Sequence, residues 1–103
     1  MAQSHFPNKI LALPQFKGRF EANRLTTDQV DVYFASYSKG SEIEPHQHNT
    51  ENHGIITEGE LILIVDGQEQ RFYPGDWYHL PPNTLHAARF EQNTSEIEFW
   101  FKS

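Results

Sequence analysis

From Gln29 to Tyr37 apolar residues recur at every second position (Val30, Val32, Phe34), interleaved with Asp31, Tyr33 and Ala35, the period-two pattern of a half-buried strand. A turn at Ser38-Lys39-Gly40-Ser41 leads to a second strand through Ile43 to His48. The polar segment Asn49-Thr50-Glu51-Asn52 breaks it, and Gly54 to Thr57 then runs to a turn at Glu58-Gly59. Leu61 to Val65 is apolar throughout and ends at Asp66-Gly67. That dipeptide between two β-like runs is a strong hairpin signal, so Gln68 to Tyr73 is predicted to pair back on it. Further strands are predicted at Asp76 to Leu80, His86 to Phe90 and Ile97 to Phe101, and a short apolar one at Ile10 to Leu13 that stops at Pro14. Residues 1 to 7 read as a loose arm. Roughly nine short strands, with turn signals about every eight to twelve residues and no helical periodicity, predict an all-β sandwich or barrel of antiparallel strands.

Composition narrows the picture. The 103 residues suffice for one domain with one core, and the reading is a single domain over 1–103. Eight Phe, 4 Tyr and 2 Trp reinforce the bias toward strands. A net charge of -6 with only 8 Lys+Arg, none clustered, argues against a nucleic-acid surface or an anionic membrane patch. Small molecules and proteins remain as partners. With 0 Cys, a transition metal must be held by imidazole, carboxylate or amide groups. No stretch approaches a membrane span and Met1 to Lys9 lacks the apolar run of a signal peptide, so a cytoplasmic protein is expected.

The candidate chemistry lies in the histidines. His46 and His48 sit one residue apart in Glu44-Pro45-His46-Gln47-His48, and an extended chain projects both rings to one face. His86, beyond two turns and a strand, can complete a facial set of neutral nitrogens for one divalent transition metal (Mn, Fe, Ni, Zn or Cu), leaving positions open for a substrate. Six His among 103 residues produce a His-x-His pair by chance in roughly a third of shuffled sequences. The framework of turns and strands around the pair therefore carries the reading, not the spacing. Such a metal is expected to leave as pH falls through about 6, since each ring must be neutral to coordinate.

The same alternation aims Glu44 to the side of His46 and His48, as a candidate base at the mouth of the site. Ala88 and Phe90 share the face of His86, and Ile97, Phe99 and Phe101 are expected to build an apolar inner wall opposite Glu96, Glu98 and Trp100. Trp100, with Trp77 as a second candidate, would then mark a partner surface. Alternation leaves the faces of Tyr33, Tyr78 and His79 open; each can donate or accept a proton at a ligand.

Gly40 to Gly59 resembles the first signature of the cupins: Gly, five residues, His-x-His, three or four residues, Glu, six residues, Gly. Gly75 to His86 resembles the second, Gly, five residues, Pro, x, Gly, two residues, His, with Asn83 at the place of the later Gly. The likeness spans Gly40 to Phe90, about half of the chain. It implies a small single-domain cupin, a jelly-roll barrel with a metal inside its open end and a homodimer as its assembly. One position departs from the pattern: counting back from Gly59, Asn52 stands where the signature has Glu, and counting forward from His48 also admits His53. The resemblance thus implies His46, His48 and His86 as ligands, with either the Asn52 amide oxygen or, through a bulge, the His53 imidazole as the fourth. A set without an anion holds its metal less tightly and leaves it a stronger Lewis acid. Two functions follow from the resemblance. One is a metal-dependent enzyme acting on a small oxygenated molecule, of isomerase, lyase or dioxygenase type. The other is a non-catalytic small-ligand-binding or sensing module without a tightly held metal.

Overall fold

Residues 6–102 are described by the computed structural model. Among them, ten strands form two antiparallel sheets folded face to face as a jelly roll. The larger sheet has the order β1 (Gln15–Lys17), β2 (Glu21–Thr26), β3 (Val30–Tyr37), β10 (Thr94–Phe101), β5 (Glu51–Glu58) and β8 (Trp77–Leu80). The smaller has β4 (Glu42–His46), β9 (His86–Arg89), β6 (Leu61–Val65) and β7 (Gln68–Phe72).

The hairpin read at Asp66-Gly67 is present, with Val65 paired to Gln68 and both turn residues at positive φ, 53° and 75°. This is the primed turn whose twist matches that of the flanking strands. Asn83 takes φ 62°, the left-handed conformation that Asn tolerates better than other side chains. Its backbone N–H donates to the carbonyl of His48 at 2.7 Å, so the second signature's turn grips the end of the first.

Three local expectations are corrected. Ile10 to Leu13 is not a strand: α1 (Asn8–Leu11) turns there, with the N–H groups of Ile10 and Leu11 donating to the Pro7 carbonyl. Four apolar residues are too few for periodicity to separate a strand from one helical turn. β1 and β2 lack strict alternation and escape detection from sequence. Of the expected loose arm, residues 1–5 lie outside the described residues, whereas Phe6 is buried with its ring edge-on to Phe34, centroids 5.6 Å apart. In addition, β5 begins at Glu51, inside the expected polar break.

The largest correction concerns β10. Glu96 and Glu98 are 1% and 5% exposed and line the interior with Trp100, while Ile97, Phe99 and Phe101 occupy the other face. Hydrophobicity alone turns this strand the wrong way round. The polar side wins because the two carboxyl groups find hydrogen-bond donors inside, from Tyr78 and Tyr37, and a buried polar group that is paired loses little on leaving water. The rest of the core is apolar: Ala35, Ile56, Leu61 and Leu63 pack between the sheets, and Tyr37 stacks on Phe90 with centroids 4.1 Å apart.

Candidate metal centre

A bulge sets the phase of the first two histidines. β4 pairs Ile43 with Ala88 and His46 with His86, leaving Glu44 and Pro45 opposite Ala87 alone. The extra residue shifts the alternation, so Ile43 and His46 both line the cavity and Glu44 is exposed outside it. The expected inward aim of Glu44 is therefore overturned, and Pro45, which has no N–H to give a ladder, is suited to the bulged position. His46 and His86 then face each other as register partners, and His48 joins them just beyond the strand end. Ring centroids lie 5.0 Å apart for His46 and His48, 4.4 Å for His46 and His86, and 4.9 Å for His48 and His86. One ligand atom from each falls within 4.8 Å of the other two.

Each ring is tethered through Nδ1. That atom of His46 is 2.8 Å from the Glu44 carbonyl, and that of His86 is 2.9 Å from the Thr84 carbonyl. A carbonyl only accepts, so both Nδ1 atoms carry the proton and both Nε2 atoms keep a free lone pair. Asn52 Nδ2 donates to His48 Nδ1 at 3.2 Å, and Asn52 Oδ1 accepts from the Thr50 hydroxyl at 2.7 Å. Asn52 is 4% exposed and on the cavity wall; of the two alternatives read for the fourth position, it is the one beside the triad. His53, its neighbour on β5, faces the other side of the sheet and meets Glu51 and His79 instead. The donor set fits a borderline divalent cation: three imidazoles with ligand atoms within 4.8 Å of one another, His46 and His86 held with Nε2 unprotonated, while His48 would coordinate through Nε2 on giving up its proton there.

Burial lowers the pKa of His48 to about 4, helped by the charges of His86 and His46, and burial also lowers that of His86. Proton competition at His48 thus begins well below the pH of about 6 expected from a free imidazole. The unfolded ring takes up its proton from about pH 6.5 downward and the folded one only near 4, so stability is lost as pH falls across that interval.

Beneath the histidines the cavity is closed by groups that sequence reading did not assign to it. Tyr78 donates to Glu96 Oε1 at 2.6 Å, Tyr37 donates to Glu98 Oε2 at 2.6 Å, and the Trp100 indole N–H donates to Glu98 Oε1 at 3.0 Å. The Trp100 ring also lies 4.5 Å from that of His48, centroid to centroid, which corrects its expected place on an outer surface. Burial, followed by the mutual repulsion of the pair, pushes the Glu96 carboxyl well above its usual range; burial raises Glu98 too. Two Glu at i and i+2 amid aromatic residues were the available sequence signal. The free space within the cavity measures about 50 Å³, below the roughly 300–1,000 Å³ of drug-sized sites, so it admits only a small group unless side chains move.

A pH prediction follows from the acidic pair. A carboxyl that stays protonated when folded but ionises when unfolded stabilises least at high pH, so stability falls as pH rises above about 4.5. Glu96→Gln keeps an acceptor for Tyr78 and removes the ionisation. Its melting temperature is expected to gain on wild type between about pH 5 and pH 8, read by circular dichroism; parallel curves would contradict a buried Glu96 carboxyl that stays neutral when folded.

Fold and site together define a small jelly-roll barrel with a histidine triad at one end. The chain belongs to the cupin family: the family model for the cupin domain matches residues 33–100. Over 92 residues it is 30% identical to quercetin 2,3-dioxygenase of Bacillus subtilis (strain 168), covering 87% of this chain and only 27% of that protein's length. Among solved structures, an RmlC-like cupin from Shewanella frigidimarina NCIMB 400 matches with a TM-score of 0.80 over 99% of this chain and 94% of that one, at 21% identity, a likeness of fold. The DMSP lyase DddQ from Ruegeria pomeroyi DSS-3 matches with a TM-score of 0.67 over 75% of this chain and 40% of that one, at 25% identity.

Proposed function

We propose that this cupin is a metal-dependent enzyme acting on a small oxygenated molecule, by isomerase, lyase or dioxygenase chemistry. His46, His48 and His86 are the ligands of one divalent transition metal (Mn, Fe, Ni, Zn or Cu), and Asn52 orients His48. The observation that carries this reading is the convergence of the three imidazoles, two of them fixed by carbonyls in the tautomer that leaves Nε2 free. The relatives named as a dioxygenase and a lyase support the same chemistry. Bound there, such an ion supplies Lewis acidity to a carbonyl or hydroxyl oxygen. The chain's own groups do the rest: Phe90 and Trp100 exclude water, and Glu96, whose carboxyl burial keeps neutral, offers an O–H while Glu98 offers an oxygen to the end of the ligand away from the histidines. Glu44, exposed beyond the bulge, is left without a part in the chemistry.

The test is turnover of sugars, keto acids and phenols by protein loaded in turn with each metal, with activity expected to follow metal content. Asn52 in the carboxylate's place favours a second reading, a sensing module without a tightly held metal. No turnover across the panel, with ligand binding undiminished by a chelator, would select it.

The homodimer is assigned to the outer face of the larger sheet, where Trp77 is 56% and Phe101 42% exposed, and Trp77 stacks on Phe99 with centroids 6.1 Å apart. Light scattering should give twice the chain mass for wild type and the single mass for Trp77→Lys. A monomeric wild type counts against this assignment.

A further inference from the structure

A second cluster of ligating side chains lies on the outer face of the larger sheet. His53 of β5 and His79 of β8 are direct register partners, and Glu51, two residues before His53, shares its face. The two rings stack with centroids 4.4 Å apart and planes within 10°. Both Nε2 atoms converge on a single carboxylate oxygen, Oε2 of Glu51, at 3.2 Å from His53 and 2.8 Å from His79. Between these residues, Asn52 points the opposite way into the barrel, so the cluster shares no side chain with the histidine triad.

We propose that Glu51, His53 and His79 form an exterior metal site for a borderline divalent cation of the Zn²⁺ type. The geometry is close to what such an ion asks for. Ligand atoms bound to tetrahedral zinc at about 2.0–2.1 Å stand about 3.3 Å apart from one another. The two nitrogen-to-oxygen separations are 3.2 and 2.8 Å, and all three ligand atoms lie within 4.8 Å, so small rotamer adjustments open the space for the ion. Backbone pairing of β5 with β8 holds the imidazoles in place before any ion arrives, which limits the ordering entropy of binding. The donor set is two imidazoles and one carboxylate, including the anion that the triad in the barrel lacks. In the single chain the side chains of His79 and Glu51 are 48% and 46% exposed, and His53 lies 5.7 Å, centroid to centroid, from Phe101 of the face assigned to the homodimer, so the remaining position is completed by a water or by the facing subunit. This site is independent of the proposed enzymatic activity.

The experiment is titration of the full chain with Zn²⁺, stoichiometry and affinity read by calorimetry and the count checked by native mass spectrometry. Wild type is expected to bind two equivalents, His79→Ala one, and His86→Ala one, the last retained at the outer site. Glu51→Gln should weaken the outer equivalent at least about tenfold, the low end of what loss of a ligand's hydrogen-bonded partner costs, because an ionised ligand is lost. His79 is exposed, so its removal leaves the fold intact and the melting curve without metal unchanged. If His79→Ala and Glu51→Gln leave stoichiometry and affinity as in wild type, the trio is a hydrogen-bonded cluster only and the proposal falls. A single wild-type equivalent that survives His86→Ala but not His79→Ala upholds the outer site and sinks the inner one; the reverse pattern sinks the outer site alone.

Discussion

His86→Ala is expected to empty the cavity site of metal and to abolish any metal-dependent turnover. His86 is 7% exposed, is the register partner of His46, and has its Nδ1 held by Thr84. Its removal leaves two nitrogen donors where three converged, which weakens metal binding by more than the roughly 10–100-fold that loss of a ligand's hydrogen-bonded partner costs. The measurement is metal content after dialysis, by mass spectrometry, alongside turnover. Because His86 is buried, His46→Ala provides a second variant at a half-buried ring with the same expected outcome. Cavity-bound metal and activity that persist undiminished in both variants would remove the histidine triad from the function altogether.

Gly54→Ala is expected to be strongly destabilising. Gly54 sits opposite Tyr78 in the ladder, and a Cβ built on it would lie 2.3 Å from two atoms of the Tyr78 ring. The ring crosses the glycine to reach Glu96, and it is 8% exposed with that hydrogen bond to keep, so it has little room to yield. Overpacking of this kind costs about 3 kcal/mol. For a domain of this size that lowers the melting temperature by about 12–24 °C. A variant melting within about 2 °C of wild type would mean that Tyr78 moves aside freely. The glycine belongs to the site rather than to a turn, since it makes room for the donor that keeps a carboxyl group buried in the cavity.

Much of the fold was legible because alternation and turn chemistry act locally. The Asp66-Gly67 hairpin, the strand over Val30–Tyr37 and the left-handed Asn83 each follow from residues within a few positions of one another. That His46, His48 and His86 meet was legible in outline from the turns and strands around them, though not that His46 and His86 are register partners. What escaped depended on partners distant in sequence. Nothing near Glu96 and Glu98 announces that Tyr78 and Tyr37 will bond them, so their strand was assigned the wrong inner face and Trp100 was sent outside with them. Glu44 was misplaced for a different reason: alternation counts residues, and a bulge is a place where the count fails. His53 entered as the alternative to Asn52 for the fourth position, through a bulge; β5 has no bulge there, and alternation carries His53 to the opposite side of the sheet.

The bulge at Glu44 and Pro45 has one more consequence. Side-chain identity there is nearly free, since neither residue touches the cavity. The bulge is not. With three steps from Ile43 to His46, a regularly paired strand of the same length would turn both imidazoles toward solvent while leaving every ligand present in the chain, so a comparison that scores only which residues occur would count as intact a barrel that can no longer hold an ion.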